Sequence, residues 1–84
     1  MVWQRHIYAN SKIAAGKPII RGSRIPVYMV LELIEAGIAI QDIIVDYYPS
    51  LSVDDVRACI QYATQLVKNE EIHFVHSPLA PAIG

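Results

Sequence analysis

A chain of 84 residues, 54% of them hydrophobic, with a formal net charge of −1, has room for one small domain with a thin core. That charge argues against a strongly DNA-coating protein, and no uninterrupted apolar run reaches the roughly 18 residues of a membrane span. The hydrophobic share exceeds the roughly 45–50% of ordinary globular domains, so a homodimer or a stable hetero-complex is expected to cover the surplus. With no basic stretch followed by an apolar run and a cleavage site, a cytoplasmic location is expected.

Residues 5–9, Arg5-His6-Ile7-Tyr8-Ala9, read as a short strand, with His6 a strand residue rather than a base. Asn10-Ser11-Lys12 is turn-like, and Gly16-Lys17-Pro18 is a second break. Ile19 and Ile20 suit a returning strand over residues 18–21, so residues 5–21 read as a β-hairpin. A lone two-stranded hairpin is marginal in water. It should lie on the helices or pair with a second copy, and such pairing is the preferred dimer contact. Gly22 permits the positive φ of a sharp corner. Pro26 fits the first turn of a helix, where its missing N–H is not needed.

From residue 27 the period changes to that of a helix. Val27, Val30, Leu31 and Ile34 fall on one stripe, with Glu32 and Glu35 off it, and Gly37 is placed to close the helix. A second helix is predicted from about Ile40 to Tyr48, burying Ile40, Ile43, Ile44 and Tyr47. Ala39 at its cap cannot accept a hydrogen bond, so its start should fray, and Pro49 stops it. The third helix has Ser52 as N-cap, Asp55 at N3, and Leu51 and Val56 at the staple positions. Val56, Ile60, Ala63 and Val67 form its expected buried stripe, with Cys59 and Leu66 beside it. The sole cysteine, Cys59, reads as a small core residue, not a metal ligand or nucleophile. The fold class is therefore mainly α: a three-helix unit over about 26–68, preceded by the hairpin, in a single domain of residues 1–69. Residues 70–84 form a C-terminal tail. Within it Ile72–Val75 could be a strand, and the apolar run Leu79-Ala80-Pro81-Ala82-Ile83 either is a disordered end or orders on a partner.

Charge is divided along the chain. Arg5, Lys12, Lys17, Arg21 and Arg24 stand in residues 1–24 without an acid, a balance of +5. Arg57 and Lys68 face all eight acids in the remainder, a balance of −6. This suggests a basic and an acidic face, and internal neutralisation or head-to-tail pairing of protomers would explain it equally. Arg21 and Arg24 flank the Gly22 corner, where they either meet an anion or pair with carboxylates of the helical half.

Catalysis finds little support. Asp54 and Asp55 are adjacent on a helix and point apart, whereas paired acid–base carboxylates must face one substrate; helix capping explains them. His73 and His76 would fall on opposite faces of a strand and lack a third ligand, so no metal and no cofactor are expected. For nucleic acid, a helix-turn-helix offers the N-terminal residues of its second helix to base edges. Here Asp54 and Asp55 would oppose phosphate at that point. Arg57, Gln61 and Gln65 share one helical face, either as base contacts or as a solvated stripe. Lys12, Lys17, Arg21 and Arg24 would supply phosphate contacts.

The run Gly16-Lys17-Pro18-Ile19-Ile20-Arg21-Gly22-Ser23-Arg24-Ile25-Pro26-Val27 resembles the signature of the domain of unknown function 433 family, with Ser23 where threonine is commoner. Gly37, Asp46-Tyr47-Tyr48-Pro49-x-Leu51, Asp54-Asp55-Val56 and Tyr62-Ala63 match further, so the resemblance covers roughly residues 5–68. It implies a helix-turn-helix-like (homeodomain-like) trihelical domain behind a hairpin. It also implies a VapB-like antitoxin paired with a PIN-like ribonuclease toxin. On that reading the protein blocks the toxin's cleft and touches operator DNA, with Glu70, Glu71, Phe74, Leu79 and Ile83 as partner-binding residues. The alternative is a stand-alone helix-turn-helix DNA-binding regulator; a third reading is a small assembly protein whose surplus apolar surface is a dimer interface.

Overall fold

The structure is a computed structural model and describes residues 2–70. The expected hairpin forms, with shorter strands. β1 (Ile7–Tyr8) pairs antiparallel with β2 (Ile19–Ile20), Ile7 opposite Ile20 and Tyr8 opposite Ile19. Before β1, Trp3–Arg5 winds into a single 3-10 turn that His6 closes in helical conformation, so His6 is a turn residue and not a strand residue. The strands are joined through a tight turn, Ala14–Gly16, in which all three residues have positive φ: 51°, 55° and 80°. Only the glycine suits that region, so the two alanines carry strain.

Past β2 the chain doubles back at Gly22, whose φ of +83° fulfils the expectation of a left-handed corner. The return covers the outer edge of β2: the Ile20 N–H donates to the Ile25 carbonyl and the Val27 N–H to the Pro18 carbonyl, each at 2.9 Å. Ser23 locks the corner. Its hydroxyl donates to the Ile20 carbonyl at 2.7 Å and accepts from the Ile25 N–H at 3.0 Å. Ser23→Ala is therefore expected to cost about 1 kcal/mol, while Ser23→Thr, which keeps the hydroxyl, should be nearly neutral. Urea midpoints of the two variants check this.

α1 (Val27–Glu35) starts one residue after Pro26, which stands at the N-cap with extended backbone rather than inside the first turn. Val27 and Val30 are buried; Leu31 and Ile34 are half-buried. Gly37, at φ +89°, closes the helix as expected. The Gly37 N–H reaches the Ile34 carbonyl and the Ile38 N–H the Leu33 carbonyl, the paired bonds of a Schellman motif.

The second helix differs from its expected form. It begins as α2 (Ile40–Asp42), with no side-chain cap at Ala39, and then widens into a π-helical turn over Ile43–Tyr47. The Tyr48 N–H donates back to the Ile43 carbonyl at 2.8 Å, the five-residue step of that winding. The wider turn shifts the side-chain phase. Ile43 is fully buried and Ile40 and Ile44 partly so, but Tyr47 is exposed and Tyr48 packs on the core in its place.

α3 (Val53–Asn69) is the longest element, and its start is as expected. The Asp55 N–H donates to the Ser52 hydroxyl at 3.1 Å and the Ser52 N–H to the Asp55 carboxylate at 2.9 Å, a reciprocal capping box. The core gathers Ile7 and Ile20 of the hairpin, Val27 and Val30 of α1, Ile43, Leu51, and Val56, Ala58 and Cys59 of α3. Of the expected stripe of α3 only Val56, with Cys59 beside it, is buried, and Ala63 is half-buried. Ile60 is 37% exposed, Leu66 52% and Val67 69%. The second half of α3 runs alongside α1 without closing on it: Leu66 shares an open groove with Tyr28 and Leu31, and Val67 one with Leu31 and Ile34. No helix among the described residues is long and apolar enough to cross a membrane.

Candidate binding surfaces

The basic residues of the N-terminal half are all on the surface. Lys12, Lys17, Arg21 and Arg24 are exposed, as is Arg5. Lys12 lies in the loop between the strands, its N–H held by the Asn10 side chain at 2.8 Å. Lys17 places its ammonium 5.4 Å from the ring centre of Tyr28, and Arg21 its guanidinium 5.0 Å from that of Tyr8. Each cation thus rests on an aromatic face and keeps its charge in water. Among the described residues the one contact between a carboxylate and a basic side chain within 4 Å is His6 with Asp55. Arg21 and Arg24 therefore pair with no carboxylate among the described residues, and none of these residues neutralises the +5 of this segment at contact distance.

His6 and Asp55 were not paired by sequence reasoning, being 49 positions apart with unrelated local roles. The imidazole Nδ1 lies 2.8 Å from the Asp55 carboxylate. An ionised carboxylate only accepts, so the ring donates from Nδ1. Burial pushes the Asp55 carboxyl up, but the Ser52 N–H, the His6 ring and the Ser52 hydroxyl outweigh it and hold the group below its ordinary value. Asp55 thus caps α3 and ties the N-terminal turn to it. That tie is continued by Trp3, whose ring packs on Tyr62 with centroids 5.1 Å apart.

This docking changes what α3 can offer to nucleic acid. Gln61 and Gln65 line a polar groove with Val2, Trp3 and Gln4 and are half-buried there, so of the predicted trio only Arg57 is exposed. Asp54 is exposed at the helix start. Lys12, Lys17, Arg21 and Arg24 sit on the hairpin and its loops and not on α3 itself. Glu70 is exposed just past α3; Glu71, Phe74, Leu79 and Ile83, together with His73, His76 and the possible strand Ile72–Val75, lie outside the described residues. Cys59 is buried as expected. Burial, and then the nearby Asp55 charge, push its thiol up to about 12, which leaves it inert as a nucleophile. Among the described residues no three of His, Cys, Asp and Glu converge as metal ligands would.

The described residues form a mainly helical domain faced by a small cationic hairpin, with an apolar helix flank left open. The chain belongs to the family described as "Protein of unknown function (DUF433)", whose model matches residues 7–63. No curated protein and no solved structure matches it.

Proposed function

We propose that the protein is a cytoplasmic, antitoxin-like binding module with a helix-turn-helix-like (homeodomain-like) helical unit. It contacts operator DNA through its basic hairpin and holds a PIN-like ribonuclease toxin through the chain beyond α3. The observation that carries the reading is the set of exposed cations at Lys12, Lys17, Arg21 and Arg24, with no carboxylate within 4 Å among the described residues. Such charges release counterions from a phosphate backbone and bind it without reading sequence. The partner half rests on the family resemblance and on the composition past Asn69, where Glu70 and Glu71 precede Phe74, Leu79 and Ile83. Acids followed by apolar side chains suit a basic catalytic cleft, which they would occlude.

Fluorescence anisotropy with the chain's own upstream DNA, at two salt concentrations beside a scrambled duplex, tests the first half. Lys12→Ala and Lys17→Ala should each weaken binding to both duplexes and lower the salt slope by about one unit; unchanged slopes remove the hairpin from the interface. Co-expression with the neighbouring reading frame tests the second. A chain ending at Asn69 should keep its helical circular dichroism and lose inhibition of the co-purified ribonuclease. Retained inhibition would move the contact onto the folded domain, and tight operator binding without any partner would favour the stand-alone regulator.

A further inference from the structure

The uncovered flank of α3 forms a continuous apolar groove with α1. Tyr28 and Leu31 stand beside Tyr62 and Leu66 in one stretch, and Leu31 continues into a second stretch with Ile34, Ile60 and Val67. Tyr28 is 47% exposed, which adds to the open surface of Leu66 and Val67. Soluble monomers rarely leave contiguous apolar patches of more than a few hundred Å². The 54% hydrophobic composition asks for the same explanation.

The rims of the groove say what covers it. On α1, Glu32 follows Tyr28 by four residues and Glu35 follows Leu31 by four, so both stand on the groove side of the helix. On α3, Arg57 precedes Ile60 by one turn, and Lys68, one turn after Thr64, lines the groove itself. All four are exposed, and among the described residues none lies within 4 Å of an opposite charge. The α1 rim carries Glu32 and Glu35, with Lys17 beside Tyr28 at its N-terminal end, the α3 rim is basic, and the floor between them is apolar.

We propose that the occupant is a second copy of this chain, packed across a two-fold axis so that α1 of each protomer lies over α3 of its partner. Two-fold symmetry lets one surface complement itself. Here it brings Glu32 and Glu35 of each protomer to Arg57 and Lys68 of the other and buries Leu66 and Val67 between them. The chain's own C-terminal residues fit less well in charge. They begin with Glu70 and Glu71, which answer the basic rim but add acid beside Glu32 and Glu35. A hairpin-mediated dimer has a single free strand edge to use, that of the two-residue β1, because Ile25–Val27 already occupies the outer edge of β2.

Sedimentation equilibrium of the full chain should give a concentration-dependent dimer. Leu66→Asp and Val67→Asp place a carboxylate on a side that is solvated in the monomer, and each should yield a monomer with unchanged circular dichroism. Lys68→Glu should weaken the dimer about tenfold, since each reversal acts at two symmetric sites, and adding Glu35→Lys should recover most of the loss. A monomeric wild type overturns the proposal and points to the C-terminal residues as cover. Folded but still dimeric aspartate variants overturn it in favour of the hairpin edge. Failure of the second reversal to rescue the first overturns the charge-matched arrangement.

Discussion

Ile20→Ala is expected to remove about 4 kcal/mol of stability, the largest loss from any single truncation in the hairpin. Ile20 is 0% exposed and belongs to the same cluster as Val27, Val30, Ile43 and Val56. Its strand has only two residue pairs, too few for a hairpin to persist in water alone. The hairpin is therefore held by what it buries, and Ile20 is its deepest contact with the helices. A domain of this size has roughly 5–10 kcal/mol in all, so the variant should approach the unfolding threshold near body temperature. Urea titration should show a lower midpoint with an unchanged slope. A loss below about 1.5 kcal/mol would mean that the hairpin docks through Ile7 and Ile19 instead.

The features legible in the sequence are those decided by neighbours along the chain. The Gly22 corner, the Gly37 terminator and the Ser52–Asp55 capping box each depend on a few consecutive residues, and each is present. Periodicity marked the apolar side of α3 but could not say how far the fold covers it. Val56 and Cys59 meet the core, whereas Leu66 and Val67 face an open groove beside α1. The same limit applies to the second helix. Its apolar spacing fits an α-helix, and the π-helical turn at Ile43–Tyr47 is a tertiary outcome that seats Ile43 and Tyr48 and turns Tyr47 outward. The basic cluster was legible as charge. That no described carboxylate lies within 4 Å of it was not, because that depends on where the fold carries the acids.

These outcomes bear on function through one geometric relation. The N-terminal turn docks on α3 through Trp3 and His6 and partly covers Gln61 and Gln65. A base-reading role for that face would require the turn to leave. The cationic hairpin needs no such rearrangement, and in the proposed dimer two hairpins would be presented together, a form suited to paired half-sites. Sequence-tolerant phosphate contact, with specificity supplied by symmetry or a partner, fits the side chains better than deep major-groove reading.

Asp55 should prove the most pH-sensitive position. Asp55→Ala removes the acceptor for the Ser52 N–H and for the His6 ring together, ending both the capping box and the tether to the N-terminal turn. The cap contributes about 1 kcal/mol and a hydrogen bond to a charged group about 1.5–3 kcal/mol, so a loss of about 2–3 kcal/mol at neutral pH is expected. The folded chain holds this carboxyl below its ordinary value of 3.8. A depressed acid stabilises the fold fully above its unfolded pKa and loses that contribution as pH falls through the folded one. The gap between wild type and Asp55→Ala should thus be constant from neutral pH down to about pH 5 and should narrow below about pH 4. His6→Ala separates the two roles: it should leave the capping box intact and give a smaller loss, with Trp3 fluorescence reporting a loosened N-terminal turn. Equal losses for His6→Ala and Asp55→Ala would place the whole effect in the tether, and a gap that persists at pH 2 would show that the carboxylate charge is not its source.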